Sequence, residues 1–401
     1  MRRGRHTLDQ YSVPYYGFQT AGSIVAGRNT MIQLVPRIQR MGLFRQVFIV
    51  AQPSLKANGI VDQIAGELSQ AGMQVRITTE VRPEPTADQL REVFQAEVSP
   101  AQPDLLIGIG GGSVLDATKL FSVMLTNEDD VESMVGTDLV ANPGMPTVLI
   151  PTTSGTGSEV TPNAIVTLPE QQLKAGVVSP YLLPKLVILD PVLTISLPKP
   201  ITAATGMDAF THALESYISN KANPISDMFA LESIRLIAGS LLPSYSDGSD
   251  ITAREKMLLG SMYGGMALTA AGTAAVHALA YPLGGQFHIP HGVANSMLLP
   301  HVMAYNLDAI AERLQPVARA MGLSGSGSRE GGFHAAEAVI EQIIEWTREL
   351  DIPQNLRVFH VTEGDVEPLA LAASKVTRLM NNNPKKMDLD AIQEVYRKLL
   401  P

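Results

Sequence analysis

The sequence predicts an α/β domain built on a parallel sheet, followed by an all-helical domain. Three observations predict it. The first half alternates short apolar runs with helical segments, and near Pro191 the texture changes to long periodic stretches rich in Ala, Leu, Met, Glu and Arg. The third is length: 401 residues exceed what one hydrophobic core usually organises. The expected division is residues 1–192 against 193–401.

The strands come first. "VFIVA" (47–51), "VRITTEV" (75–81), "DLLIGIG" (104–110), "TVLIP" (147–151), "AIVTL" (164–168) and "LVILD" (186–190) are short, rich in Val, Ile and Leu, and bounded by Gly, Pro or polar residues. Helical patterns such as "GIVDQIAGELSQAG" (59–72) lie between some of them. Alternating strands and helices imply a parallel sheet covered on both faces. After residue 200 no strand is expected. "SDMFALESIRLIAGSLL" (226–242) and "FHAAEAVIEQIIEWTREL" (333–350) carry apolar residues at the i, i+3, i+4, i+7 spacing of amphipathic helices. "GLSGSGSREGG" (322–332) reads as a flexible connector. A ligand is expected in a cleft between the two domains.

Composition narrows the function classes. Hydrophobic residues make up 45% and charged residues 17%, a globular balance. A net charge of −9 argues against nucleic acid or an anionic membrane as partner. The chain has no cysteine, so disulfides, thiolate metal sites and cysteine nucleophiles are excluded. The basic N-terminus "MRRGRHTLDQYSVPYY" lacks the apolar core of a signal peptide, and no run of about 18 apolar residues offers a membrane span. A cytoplasmic protein is the expectation.

Two polar loops follow strands. "DLLIGIGGGSVLDATK" (104–119) runs from strand through Gly110, Gly111, Gly112 and Ser113 into a helix. Glycines there admit a phosphate close to the backbone, and a helix N-terminus offers free N–H groups. The spacing is not G-x-G-x-x-G, and Ser113 with Asp116 also reads as a capping box. "PTTSGTGSEVTP" (151–162) places Thr152 and Thr153 just past the next strand, where ligands bind in open parallel sheets. A self-bonded Ser/Thr turn is the alternative reading of that loop.

The metal signal is dispersed. In "GMDAFTHALESY" (206–217), Asp208 and His212 are four apart and share a helix face, the spacing of an ordinary contact pair or of two metal ligands. Four of the eight histidines, His277, His288, His291 and His301, fall in "VHALAYPLGGQFHIPHGVANSMLLPH". An Asp with three His suits Fe²⁺ or Zn²⁺ when no thiolate is available. Spacing alone leaves open which of the four take part.

"GGGSVLDATK", "PTTSGTGSEVTP", "LVILDP", "GMDAFTHALESY" and "VHALAYPLGGQFHIPHGVANSMLLP" together resemble the iron-containing (group III) alcohol dehydrogenases over nearly the whole chain. The resemblance implies a Rossmann-like N-terminal domain and a helical C-terminal domain, as in dehydroquinate synthase-like folds. It implies NAD(H) or NADP(H), Fe²⁺ (with Zn²⁺ the alternative ion), a small alcohol or aldehyde substrate, and a homodimer or higher homo-oligomer. It assigns the metal to Asp208, His212, His277 and His291, leaving His288 and His301 outside. It further implies that Gly111, Gly112 and Ser113 cradle the pyrophosphate, that Asp116 supports their loop, and that Thr152, Thr153 and Lys174 line the dinucleotide.

Two positions depart from the family pattern. Tyr281 stands where many members have the histidine of an "HPLG" motif, which makes Tyr281 the catalytic candidate. Gln52, just past the first strand, replaces a common Asp and is expected beside the adenosine ribose. The rival readings are a maleylacetate-reductase-like or dehydroquinate-synthase-like enzyme of the same fold, or a non-catalytic metal- or nucleotide-binding protein.

Overall fold

The computed structural model describes residues 15–171, 173–323 and 331–400. The N-terminal stretch up to residue 14, and most of the connector expected at 322–332, lie outside the described residues. Chain contacts divide the molecule into an α/β unit, Thr20–Leu197 with Ser249–Leu258, and a helical unit comprising Pro198–Gly248 and the chain from Leu259 onward.

The α/β unit contains nine strands among the described residues: β1 (Ile24–Ala26), β2 (Gln46–Ala51), β3 (Gln74–Thr78), β4 (Leu105–Gly110), β5 (Gly136–Thr137), β6 (Thr147–Pro151), β7 (Asn163–Leu168), β8 (Leu173–Val178) and β9 (Leu186–Leu189). Its helices are α1 (Leu34–Met41), α2 (Pro53–Ala57), α3 (Ile60–Gln70), α4 (Ala87–Val93), α5 (Ser99–Ala101) and α6 (Gly112–Met124). Six strands form a parallel sheet in the order β1-β9-β6-β4-β2-β3. From β2 the sheet grows toward β3 on one side and toward β4 on the other, so the strand order reverses between β2 and β4. Open parallel sheets bind ligands at such a reversal, beyond the carboxyl ends of the strands. β4 and β6 are buried at every residue, which explains their unbroken apolar runs. One apolar cluster includes Ile49, Ile107, Ile150 and Leu68; a second includes Phe48, Leu106, Leu120 and Phe121. Alternate residues of β2 and β4 thus feed the two layers.

"AIVTL" departs from expectation. It forms β7, which pairs antiparallel with β8 in a separate sheet of order β5-β8-β7. Its alternating burial marks a strand with one face packed, unlike the parallel core strands. "VRITTEV" ends as a strand at Thr78.

The helical unit contains α7 (Lys199–Ile218), α8 (Pro224–Ala238), α9 (Leu241–Ser246), most of α10 (Ile251–Ala271), α11 (Ala275–Phe287), α12 (His291–Ala320), α13 (Gly331–Glu349), α14 (Val366–Ser374), α15 (Thr377–Met380) and α16 (Leu389–Lys398). The stretch expected as one helix over 226–242 breaks after Ala238, where Gly239 closes α8 and α9 begins at Leu241. Asn223 opens α8 with a capping box shared with Ser226. α7 is buried almost along its whole length. Two glycines let neighbours approach it: a Cβ on Gly292 would stand 2.2 Å from the Ala204 carbonyl oxygen, and one on Gly264 3.1 Å from that of Ala209. Among the described residues no single helix is long and apolar enough to cross a membrane; α10 and α11 together pass by length and composition but are bent by 106° at their junction.

Candidate metal centre

Three helices of the helical unit bring four ligating side chains together. α7 supplies Asp208 and His212, one turn apart on a buried face. α11 supplies His277 near its start, and α12 supplies His291 as its first residue after the N-cap Pro290. His277 and His291 meet because α11 ends at His288 in the left-handed region (φ 55°), Ile289 and Pro290 turn the chain, and Gly292 lets α12 start against α7. One ligand atom from each of the four lies within 4.8 Å of all the others. Donors about 2.0–2.2 Å from a single tetrahedral ion stand ~3.3–3.6 Å apart, and the Asp208 oxygens already lie 3.7–4.0 Å from the three imidazoles, so a modest closure would bring the set onto one ion. The His212 and His277 rings are stacked with centroids 4.6 Å apart, and the His277 and His291 rings are 5.3 Å apart. The side chain of His291 is 26% exposed against 7% or less for the other three, so the set is most open on that side.

The surroundings orient the donors. Asn295, one turn after His291, donates from its amide nitrogen to Asp208 Oδ1 at 2.7 Å, and that nitrogen lies 3.1 Å from His277 Nε2 and 3.2 Å from His291 Nε2. Burial pushes the Asp208 carboxyl up, but the three imidazoles and the Asn295 amide outweigh it and hold it below the usual carboxylate range. Glu215, fully buried on α7, faces His277 Nδ1 at 2.6 Å. Sequence reasoning missed Glu215 and Asn295. Their helix faces were legible, since Glu215 follows Asp208 by seven and Asn295 follows His291 by four, but the partners that give them a role lie elsewhere in the chain. Outside the set, His288 is exposed, and burial, with Lys398 assisting, lowers the pKa of His301. Tyr281 is buried with its ring 6.1 Å from that of His291.

The α/β unit holds the other predicted residues. Gln52 is the N-cap of α2 at the carboxyl end of β2, and its N–H donates to the Ile109 carbonyl of β4. Gly111 caps α6, and a Cβ on Gly112 would stand 2.5 Å from Thr156 Cγ2, so the two polar loops cross where only glycine fits. Thr152 N–H donates to Gly110 O, and Thr153 packs against Gly111. The capping-box reading of Ser113 and Asp116 is overturned. The Ser113 hydroxyl accepts from Glu84 N–H at 3.0 Å, while Asp116 accepts from the Ser158 hydroxyl and from Ile165 N–H at 3.0 Å. Asp116 thereby ties the second loop and β7 to α6, its side chain bonding across the fold instead of to its own helix end. Lys174 is buried and ion-paired with Glu84 at 2.7 Å.

A buried charge cluster backs these loops and was not foreseen. Lys119 is fully buried, 3.2 Å from Asp116 Oδ1, and donates to the carbonyls of Ser158, Thr161 and Asn163. Burial lowers its pKa, against the pull of Asp116 and Glu159. Burial pushes the Glu159 carboxyl up to about 7.

Comparison with known proteins accounts for both units. A family model for iron-containing alcohol dehydrogenase matches residues 21–191, and one for the C-terminal region of the Fe-containing alcohol dehydrogenase family matches residues 202–400. The chain belongs to the iron-containing alcohol dehydrogenase family. It is 40% identical over 373 residues to long-chain-alcohol dehydrogenase 1 of Geobacillus thermodenitrificans, covering 92% of this chain and 93% of that protein. It is 36% identical over 376 residues to lactaldehyde reductase of Escherichia coli, covering 92% and 96%. The crystal structure of a 1,3-propanediol oxidoreductase superposes with a TM-score of 0.91 at 36% identity, covering 96% of this chain and all of that one. As a member of this family the chain is an NAD(P)-linked, metal-dependent oxidoreductase acting on an alcohol or aldehyde carbon.

Proposed function

We propose that the two units divide the reaction, the α/β unit (Thr20–Leu197 with Ser249–Leu258, against the expected 1–192) holding the dinucleotide and the helical unit the metal and the substrate oxygen. The clustering of Asp208, His212, His277 and His291 carries this reading. It supports one divalent ion held by these four residues, with Fe²⁺ the family's ion and Zn²⁺ accepted by the same donors. When bound, the ion supplies Lewis acidity toward a substrate oxygen and the nicotinamide supplies the hydride chemistry.

The chain's own residues do the rest. Asp208 brings a buried negative charge, and Asn295 fixes the direction of its Oδ1. Gly111, Gly112 and Ser113 at the start of α6 receive the pyrophosphate on free backbone N–H groups. Asp116 and Lys119 hold the loop behind them, while Thr152, Thr153 and the Glu84-paired Lys174 border the dinucleotide. Gln52 sits at the sheet's reversal point, where the adenosine ribose rests. Tyr281, next to His291, positions or relays the alcohol proton through its hydroxyl, which can both donate and accept.

The named relatives span long-chain alcohols, propanediol and lactaldehyde, which supports an alcohol or aldehyde as substrate; the propanediol and lactaldehyde relatives favour a small one. We further propose a cytoplasmic homodimer or higher homo-oligomer. The test is nicotinamide absorbance during turnover of metal-reconstituted protein with short, carboxylated, sulfonated and phosphonated aldehydes. Metal-dependent oxidation of the reduced cofactor by at least one is expected. Metal uptake without any turnover across alcohols and aldehydes would favour a binding protein.

A further inference from the structure

We propose that Glu215 is a positioning residue that sets both the start of α11 and the tautomer of His277. The inference rests on the metal reading above. α11 opens on Ala274, which has no side chain able to cap it, and no side-chain cap is made there. Its first N–H groups turn instead to Glu215: Ala274 N–H donates to Oε2 at 3.0 Å and Val276 N–H donates to Oε1 at 2.6 Å. A carboxylate from α7 thus caps α11 in trans, where the helix dipole favours negative charge. The carbonyls of the same junction are also taken from outside it, Ala271 O by the Ser219 hydroxyl and Thr273 O by the Asn382 amide, each at 2.8 Å.

The second Glu215 contact carries the consequence. His277 Nδ1 lies 2.6 Å from Glu215 Oε2, already an acceptor for Ala274. A carboxylate there accepts only from a protonated Nδ1, which leaves the Nε2 lone pair facing the ligand set. Asn295 agrees independently. Its orientation is fixed by donation to Asp208 Oδ1, and its second N–H is shared between His277 Nε2 at 3.1 Å and His291 Nε2 at 3.2 Å, an arrangement that a bare Nε2 on His277 accommodates. Glu215 also adds a second buried carboxylate to Asp208, and the two together match the formal charge of a divalent ion. Carboxylate partners of a metal-binding imidazole fix its orientation and raise its basicity, and their loss typically costs 10–100-fold in metal affinity.

The test is Zn²⁺ affinity of the full chain, by competition with a chromophoric chelator, in wild type, Glu215→Gln and Glu215→Gln/Ala274→Ser. The double variant returns a local cap to α11 but not the imidazole partner. A 10–100-fold weaker Kd in both variants is expected, with nicotinamide dinucleotide binding retained. Wild-type affinity in Glu215→Gln would overturn the proposal, and so would full recovery in the double variant, which would reduce Glu215 to a helix cap. Should Glu215→Gln fail to fold, ¹⁵N NMR of histidine-labelled wild-type apoprotein decides: protonated Nδ1 with bare Nε2 at His277, assigned by its absence in His277→Ala, is expected, and the reverse tautomer contradicts it. A wild-type chain that binds no Zn²⁺ would instead remove the metal reading, while the tautomer remains separately measurable.

Discussion

The helical unit and the α/β unit build their sites from different materials. The proposed metal centre uses side chains from three helices, oriented by the buried Glu215 and Asn295. The loops proposed for the dinucleotide use backbone at the ends of strands, glycines where loops cross, and a buried charge cluster behind them. Side-chain sites fail when one donor is removed. Backbone sites tolerate substitution except where only glycine fits, as at Gly112, and respond to charge and loop geometry. Variants on either side should therefore separate metal binding from nucleotide binding.

The largest separable effect is expected at Tyr281. General acid–base groups contribute roughly 10²–10⁴-fold. Tyr281→Phe keeps the packed ring and removes the hydroxyl, so kcat should fall by about that range while metal content and cofactor Kd hold. Unchanged turnover and an unchanged pH–rate profile in that variant would make Tyr281 a packing residue.

Glu159 tests the α/β side through stability. Its carboxyl titrates near 7 in the folded chain against an ordinary 4.5. Between those values the folded state holds a proton that the unfolded state has released, so stability is lost as pH rises from about 4.5 through 7. The full shift corresponds to on the order of 3 kcal/mol. Glu159→Gln should remove that loss. Its Tm should exceed wild type by a few degrees at pH 8 and converge with it near pH 4.5. Parallel Tm curves from pH 4.5 to 8 would show that Glu159 ionises freely in the fold.

The smallest effect is cofactor choice. Gln52 carries no charge to repel a 2′-phosphate. Two like charges ~4 Å apart cost about 4 kcal/mol at an effective dielectric near 20, and less once screened. The chain should use NADPH measurably beside NADH, and Gln52→Asp should shift kcat/KM toward NADH by roughly tenfold or more. A wild-type preference for NADH above about a thousandfold, unchanged in the variant, would mean that other loop residues exclude the phosphate.

The same contrast governs what was legible in the sequence. Asp208 and His212 could be read because one helix turn puts them on one face, and the central strands because β4 and β6 are apolar throughout. β8 was not read, since Lys174 and Gly176 interrupt its apolar run, and β1, with three residues, is shorter than any periodicity test. The alternative reading of Asp116 as a helix cap could not be dismissed from sequence because its partners, Ser158 and Ile165, lie more than 40 residues away. Glu215 escaped for the same reason, its partners being about 60 residues distant. Local spacing reports ligands that share a helix; it is silent about the side chains that hold those ligands from elsewhere in the fold.

The central claim is that Asp208, His212, His277 and His291 hold one divalent ion independently of the dinucleotide site. Its most direct test is elemental analysis, with dinucleotide titration in parallel, of wild type, His277→Ala and His288→Ala after reconstitution. One ion per chain is expected in wild type and in His288→Ala, and none in His277→Ala, with dinucleotide affinity alike in all three. Stoichiometric metal in His277→Ala would contradict the account.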